Sequence, residues 1–456
     1  MIIVRDCLPR IKSFLRHTTW DERTQGFAIR MFVAFFLRCG RMSASQAAGS
    51  ICSEARHRAA VTRFLGRADL AATTVHQHLV SVMLNFESRR RGPWLFLVDQ
   101  TLVGHQGKKT ENTFSSGNRK RRPRKGRRYN KYKHARRSCH CFVMGLLLTP
   151  SGYRIPFHRC FYTRQYCAQR KRLFHTQTEL AAHMVRLLPV PEGADVYVIG
   201  DTAFDAASIR SACQARGFSW ITPVNPQRVL AGEKPRPNVR SLLRNVGEQR
   251  FAPVRLVPGQ GPHAAQRRVA RCRLGPKAKT RTFYVHRERL TVQSVGRVQV
   301  IFSTKEKPQP GKRLTPDNCK ILMTNNLRLS TAEIVALYDL RWQIELFFKE
   351  LKSELGFHQY RFRRFQQVEN WTELCLLAFL YLEWYRAGQL KRRGQSVQAR
   401  RWWFWQRTHG LRGAVRQRTE QAELEKLSHW TGTPTGLKKL KRLLRAAHPP
   451  EYQVAL

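Results

Sequence analysis

The spacing of apolar and polar positions divides this chain into five stretches of different texture. Residues 1–90 carry apolar positions at helical spacing. Phe27 to Leu37 is a dense apolar run, Ser43 is placed to cap a helix begun by Ala44-Ser45-Gln46, and Ala59 to Leu65 is amphipathic. At Gly92-Pro93 the texture changes. Trp94 to Val98 is a compact apolar run that reads as a buried strand ending at Asp99. Cys141 to Thr149 and Tyr153 to Phe161, joined by Pro150-Ser151-Gly152, predict a hairpin. A helix is expected from Thr178 to Leu188, then a strand from Val196 to Gly200 that ends in Asp201. Ala206 to Arg216 reads as a helix stopped by Gly217, and Phe218 to Val224 as a further strand. Residues 91–225 therefore predict a mixed α/β sheet.

From 226 to 325 the pattern is all-β. Short alternating segments recur at Phe251 to Leu256, Val269 to Leu274, Thr282 to His286, Val298 to Ser303 and Lys320 to Thr324, which predicts an inserted β domain. Helical spacing returns over 326–385. Ser330 and Glu333 form a capping-box pattern that opens a helix expected to run to near Leu355, and a second helix is expected from Val368 to Tyr385. Residues 386–456 form a basic, partly helical C-terminal region. The longest apolar stretch, Leu374 to Tyr385, is broken by Glu383 and falls short of the roughly 20 residues a bilayer requires. It reads as a buried helix, and no membrane partner is expected. The N-terminus lacks the pattern of a secretory signal.

Charge narrows the partners. The 456 residues include 83 Lys+Arg against 30 Asp+Glu, a formal net charge of +53, while 42% are hydrophobic. That apolar content is enough for a folded core. Such an excess on a folded body calls for a polyanion: nucleic acid first, an acidic membrane surface second. Arg119 to Arg137 holds twelve basic residues in nineteen, among them Arg119, Lys120, Arg121, Arg122, Arg127 and Arg128. It suits phosphate contact without sequence reading, and equally a solvated loop that orders only on DNA. Arg56, Arg58, Arg63 and Arg67 fit a DNA-binding helical module or a helical cap on an enzyme. A second cluster, Lys438 to Arg445, can face DNA or another subunit. The eleven scattered cysteines suit reduced thiols in a cytoplasmic protein. Cys139, His140, Cys141, His158 and Cys160 do not follow zinc-ligand spacing and read as core or surface residues. No phosphate-binding loop is present, so no nucleotide cofactor is expected.

Three acids and one helix carry the candidate chemistry. On a single α-helix Tyr338, Arg341, Glu345 and Lys352 would share an arc of roughly 60°, with Trp342 and Lys349 at its edge. The same face can be an ordinary solvated one with i,i+4 ion pairs. Asp99 and Asp201 end apolar strands, the position where open α/β sheets bind ligands. Singly, each is better explained by a turn or a helix cap, and Asp205 is a better candidate than Asp201 for the cap of the next helix. Brought together with Glu345, they would repel one another unless a cation lay among them. Carboxylate oxygens suit Mg²⁺ or Mn²⁺, and two such ions support phosphodiester cleavage or transfer.

The string Tyr338-x2-Arg341-x3-Glu345-x6-Lys352 resembles the signature of a large group of bacterial insertion-sequence DDE transposases. Its setting matches as well: Thr324-Asn325 ahead of it, then Arg341-Trp342-Gln-Ile-Glu345, Phe348-Lys349 and Leu351-Lys352. Leu97-Val-Asp99-Gln-Thr101 and Ile199-Gly-Asp201-Thr-Ala-Phe204-Asp205 resemble the group's two Asp motifs. The 144 residues from Asp201 to Glu345 leave room for its β insertion. The resemblance covers roughly 90–385 and implies a ribonuclease H-like core interrupted by the all-β insertion, with helical N- and C-terminal regions. It implies that Asp99, Asp201 and Glu345 are the catalytic ligands of two Mg²⁺ (or Mn²⁺) ions. Tyr338, Arg341, Lys349 and Lys352 would lie along DNA, and Trp342 would pack near a distorted terminal nucleotide. The implied partners are double-stranded element ends and target DNA, bound by a homodimer on paired ends. Some members hold a flipped base with a Trp in the β insertion. Residues 226–325 contain none, which leaves Phe283, Tyr284 or Phe302 as stacking surfaces. Two other readings share the same residues: a non-catalytic basic nucleic-acid-binding protein, and a nuclease of this fold without strand transfer.

Overall fold

A computed structural model describes residues 7–37, 43, 46, 58–67, 70, 73–87, 92–105, 110–116, 137–232, 236–257, 260–263, 266–267, 280–391 and 431–435. The chain divides into two compact units. One comprises residues 1–84, 350–361 and 366–456, the other 85–349 and 362–365.

The first unit is helical. It contains α1 (Cys7–Leu15), α2 (Glu22–Leu37), α3 (Arg58–Leu65) and α4 (Thr73–Leu84), together with most of a long C-terminal helix, Phe365–Lys391. Leu374 to Leu382 on that last helix is buried without a break, as its apolar run requires. The core is aromatic: Phe14 meets Tyr381 edge-on at 5.5 Å, Tyr381 stacks on Phe36 at 5.1 Å, and Phe35 lies 5.4 Å from Trp371. Asn370 Nδ2 donates to the carbonyl oxygens of Leu65 (2.8 Å) and Arg67 (2.5 Å), closing the exposed end of α3. Glu383 is fully buried and accepts from Arg386 at 2.5 Å, which explains how an acid interrupts this apolar run.

The second unit is built on one ten-stranded sheet. Its strands are β1 (Trp94–His105), β2 (Phe114–Ser116), β3 (Arg137–Leu148), β4 (Arg154–Cys160), β5 (Val196–Gly200), β6 (Ser219–Pro223), β7 (Ala252–Leu256), β8 (Arg281–Val292), β9 (Gly296–Thr304) and β10 (Lys320–Thr324). The order is β2-β3-β1-β5-β6-β10-β9-β8-β7, with β4 also paired to β3. β1, β5 and β6 are parallel, and every other pairing is antiparallel. The expected hairpin is β3–β4. Helices α5 (Arg164–Gln169) and α6 (Gln177–Arg186) connect β4 to β5, and α7 (Ala207–Ala215) connects β5 to β6. α6 packs on α7 and β3, and Gly217 at φ +63° ends the turn after α7. Beyond β6 lie α8 (Val239–Asn245) and the strands of the 226–325 stretch. β7, β8 and β9 continue the same sheet through β10. The strand expected at 269–274 lies outside the described residues.

Three local expectations are corrected. β1 does not stop at Asp99. It runs on to His105 because β3 stays paired with it, Asp99 opposite Met144 and His105 opposite Ser138. The helix expected from Ser330 to near Leu355 is two helices, α9 (Thr331–Asp339) and α10 (Trp342–Ser353). Between them the amides of Leu340, Arg341, Gln343 and Ile344 each bond three residues back, a tighter winding that breaks the 3.6-residue period. With α9 and α10 named, the long helix Phe365–Lys391 is α11. Phe302 is fully buried against His286, so it offers no surface for a base, whereas Phe283 and Tyr284 are half-buried. The reciprocal capping box expected at Ser330 and Glu333 is present, and Ser43 and Gln46 exchange another.

Candidate active site

Parallel pairing places two acids side by side. The last residues paired between β1 and β5 are Val98 and Gly200, so Asp99 and Asp201 are the next residues on two adjacent parallel strands, Asp201 just past the carboxyl end of β5 and Asp99 within β1. The chains then diverge, β1 continuing along β3 while β5 enters a 3₁₀ turn, Thr202–Phe204. Asp201 caps that turn, its carboxylate accepting from the Ala203 amide at 2.8 Å. Asp205, the rival cap, is used elsewhere. α7 has no side-chain cap, and the Asp205 carboxylate pairs instead with Arg210 and with Arg228, at 2.7 Å from Arg228 Nε. This buried pairing holds the Asp201 turn to the chain just past β6.

The third acid comes from the α9–α10 junction. Arg341, between the two helices, donates to Glu345 in the first turn of α10 at 2.5 Å, and its guanidinium lies 3.9 Å from Asp99. Arg341 also sits 5.9 Å from the centre of the Tyr338 ring. The Asp99 carboxyl is pushed up to about 6. Burial is the main cause, and the negative fields of Asp201 and Glu345 add to it against the Gln100 amide and Arg341. The Tyr338 hydroxyl is pushed up to about 12, again by burial first, with Asp201 and Glu345 adding. Asp99, Asp201, Glu345, Tyr338 and Arg341 are therefore one electrostatic cluster. The break at Leu340 shows that this grouping does not depend on a single helical face.

Trp342 is half exposed and Lys349 is exposed on α10. Lys352 lies in the last turn of α10, in the segment belonging to the helical unit. Arg119, Lys120, Arg121, Arg122, Arg127 and Arg128 lie outside the described residues, as does the Lys438 to Arg445 cluster. Thr324-Asn325 acts structurally: Asn325 Oδ1 accepts from the Trp220 amide at 2.9 Å and binds the end of β10 to β6. Cys139, His140 and Cys141 are buried strand residues, and among the described residues no three His, Cys, Asp or Glu side chains gather closely enough to hold a metal ion as they stand.

One cation near the acids went unread in the sequence. Lys320, the first residue of β10, places its ammonium 4.8 Å from the centre of the Tyr338 ring. Its pKa is lowered by burial first, then by Arg341 and Lys305, against the pull of Glu345 and Asp201. Its only signal was a polar residue opening the apolar strand Ile321 to Thr324.

A family model described as "Transposase DDE domain" matches residues 90–381, well over half the chain. This protein belongs to the DDE transposase family. The matched span contains the sheet, the acid cluster and the α9–α10 junction. Members of this family act on DNA and generally use divalent metal ions. Comparison with curated proteins gives no match. Among the described residues no helix is long and apolar enough to cross a membrane.

Proposed function

We propose that Asp99, Asp201 and Glu345 are the catalytic carboxylates of a transposase that cuts DNA at element ends and joins the freed ends to target DNA. The single observation that carries this reading is the juxtaposition of Asp99 and Asp201 past the last paired residues of β1 and β5, with Glu345 drawn to them through Arg341. In this reading the core around the three acids is ribonuclease H-like, and the Tyr338–Lys352 string marks the signature group.

The donor set fits a hard divalent cation. All three groups offer carboxylate oxygen, and their mutual repulsion, felt at Asp99, is of the kind such an ion relieves. Two Mg²⁺ or Mn²⁺ ions held by Asp99, Asp201 and Glu345 would polarise the scissile phosphate and the attacking oxygen. In the present arrangement Arg341 supplies the positive charge between Asp99 and Glu345 that those ions would supply when bound, and a guanidinium displaced from the acids would bind a phosphate in the bidentate way an arginine favours. Tyr338 keeps its proton through the neutral range and donates a hydrogen bond to a phosphate oxygen. Cleavage forms a bond from a water oxygen to phosphorus and breaks the P–O3′ bond. Joining repeats the displacement with the freed 3′-hydroxyl as nucleophile. A homodimer on paired ends suits this sequence of steps, since both element ends must be cut and joined together.

The test is to replace Asp99, Asp201 and Glu345 singly by Ala and assay cleavage of double-stranded element-end DNA with Mg²⁺. Lost cleavage with retained binding is expected. Retained cleavage in all three variants overturns the assignment. The Arg341–Glu345 ion pair is also what a non-catalytic DNA-binding protein would display, and that reading predicts no effect of metal or of Glu345→Ala. Supplying 3′-hydroxyl ends in a joining assay separates a transposase from a plain nuclease.

A further inference from the structure

We propose that Lys320 is a phosphate-binding residue of the active site, its ammonium gripping a backbone phosphate of the DNA strand that lies across Asp99, Asp201 and Glu345. The inference rests on the catalytic reading above and adds to it a cation from a different element of the fold.

Three observations carry it. First, the side chain is aimed. Along β10 only Lys320 is exposed while Ile321, Leu322, Met323 and Thr324 are buried, so the strand is anchored and its first residue projects from a fixed base. The Tyr338 ring then holds the ammonium at 4.8 Å from its centre, a contact that restrains a long and flexible stem before any ligand arrives. Second, the ammonium is available. Among the described residues Lys320 makes no ion pair within 4.0 Å and no side-chain hydrogen bond, so its three N–H donors are not committed to another side chain. A lysine kept for stability beside three acids would be expected to pair with one of them. Here Arg341 takes both Asp99 and Glu345. Third, Lys320 shares the Tyr338 ring with a second cation. Lys320 feels the negative fields of Glu345 and Asp201 and the positive fields of Arg341 and Lys305. Arg341 and Lys320 both lie near the Tyr338 ring, at 5.9 and 4.8 Å from its centre. A strand approaching the acids must bring its own negative charge past them. Two cations within 6 Å of the centre of one aromatic ring offset that repulsion. Lys305 and Lys307 are exposed on the segment that leaves β9, and the charge of Lys305 is felt at Lys320.

A compact ammonium binds phosphate as a point charge without reading the base, so Lys320 should contribute to affinity for any sequence. The test uses the full chain, a fluorescein-labelled double-stranded DNA carrying the element end, and EDTA to suppress cleavage. Binding is followed by anisotropy across a KCl series. Lys320→Gln should weaken binding by about three- to tenfold and lower the slope of log Kd against log salt by about one, whereas Lys320→Arg should retain most of both. Lys320→Ala is the second variant should the Gln form fold poorly, and thermal unfolding of each reports the fold. A double-mutant cycle places the phosphate. Asp201→Asn should tighten binding in the wild-type background and do so by a smaller factor once Lys320 is Gln. Unchanged affinity and slope in folded Lys320→Gln, or strictly additive effects with Asp201→Asn, overturns the assignment. Because these readouts need no metal and no turnover, they stand apart from the carboxylate test. Cleavage that survives the Ala variants sinks the catalytic reading even with Lys320 bound to phosphate, and a silent Lys320 leaves the acids untouched.

Discussion

Asp99→Asn should make this protein more stable while abolishing its proposed chemistry. The Asp99 side chain is 17% exposed and its carboxyl is pushed up from an ordinary 3.8 to about 6. Burial is the largest cause, and Asp201 and Glu345 reinforce it. Folding therefore favours the protonated acid. Below about pH 3.8 both the folded and the unfolded chain hold the proton, and the group costs nothing. As pH rises, the unfolded chain ionises first, so stability falls until the folded carboxyl also ionises near pH 6, after which the penalty is constant. A displacement of roughly two pKa units at about 1.4 kcal/mol each sets an upper bound of about 3 kcal/mol at pH 8. Asparagine keeps the shape and can still accept the Gln100 amide bond made by Asp99 Oδ1. It gives up the charge that Arg341 faces, which trims the gain. Urea denaturation of wild type and variant in EDTA, from pH 8 down to pH 5, measures the difference directly. The variant should be ahead by about 1–3 kcal/mol at pH 8, and the gap should shrink to about half at pH 5. A variant less stable than wild type at pH 8, or a gap that widens toward pH 5, would refute the claim that burial, reinforced by the neighbouring acids, raises the Asp99 carboxyl.

Two further substitutions probe how the second acid is held. Asp205→Ala leaves Arg210 and Arg228 without their shared carboxylate, and the loss should be about 3–5 kcal/mol in urea denaturation. Combining it with Arg228→Ala should cost less than the sum of the singles, and simple additivity would count against the network. Gly200→Ala puts a Cβ 2.8 Å from the Cβ of buried Phe204, so either the strand or the 3₁₀ turn must shift. A loss of about 1–3 kcal/mol is expected, together with a fall in cleavage out of proportion to it because Asp201 is the next residue. An unchanged denaturation midpoint with full cleavage would show that the turn has more room than the geometry allows.

Local chemistry explains which elements were readable in advance. Val196 to Gly200 and Lys320 to Thr324 are strands at their expected bounds because each is a short apolar run closed by polar residues. The helix at 207–215 stops where Gly217 permits a positive φ. What could not be read depends on partners distant in sequence. The extension of β1 beyond Asp99 follows from pairing with β3, some forty residues on, and no pattern within β1 encodes it. The break at Leu340 falls in a stretch with unbroken helical spacing and no Gly or Pro, so periodicity predicted one helix. The use of Asp205 was hidden for the same reason, since Arg228 reaches it from beyond the next strand.

The same reasoning explains why Lys320 escaped notice while Arg341 did not. Arg341 lies four residues from Glu345, and an i,i+4 pair announces itself in any helical reading. Lys320 is linked to the acids only through β10, the strand that returns the chain to β6 after about a hundred residues, and through a ring on the helix that follows. In a chain with 83 basic residues, one more lysine carries no information by composition. Its position does. Most of the excess charge can contribute only a general attraction for a polyanion, screened beyond about 10 Å at moderate salt. A cation held beside Asp201 and Glu345 acts where the strand must come closest to fixed negative charge, and there one ammonium in the right place outweighs many on distant surfaces.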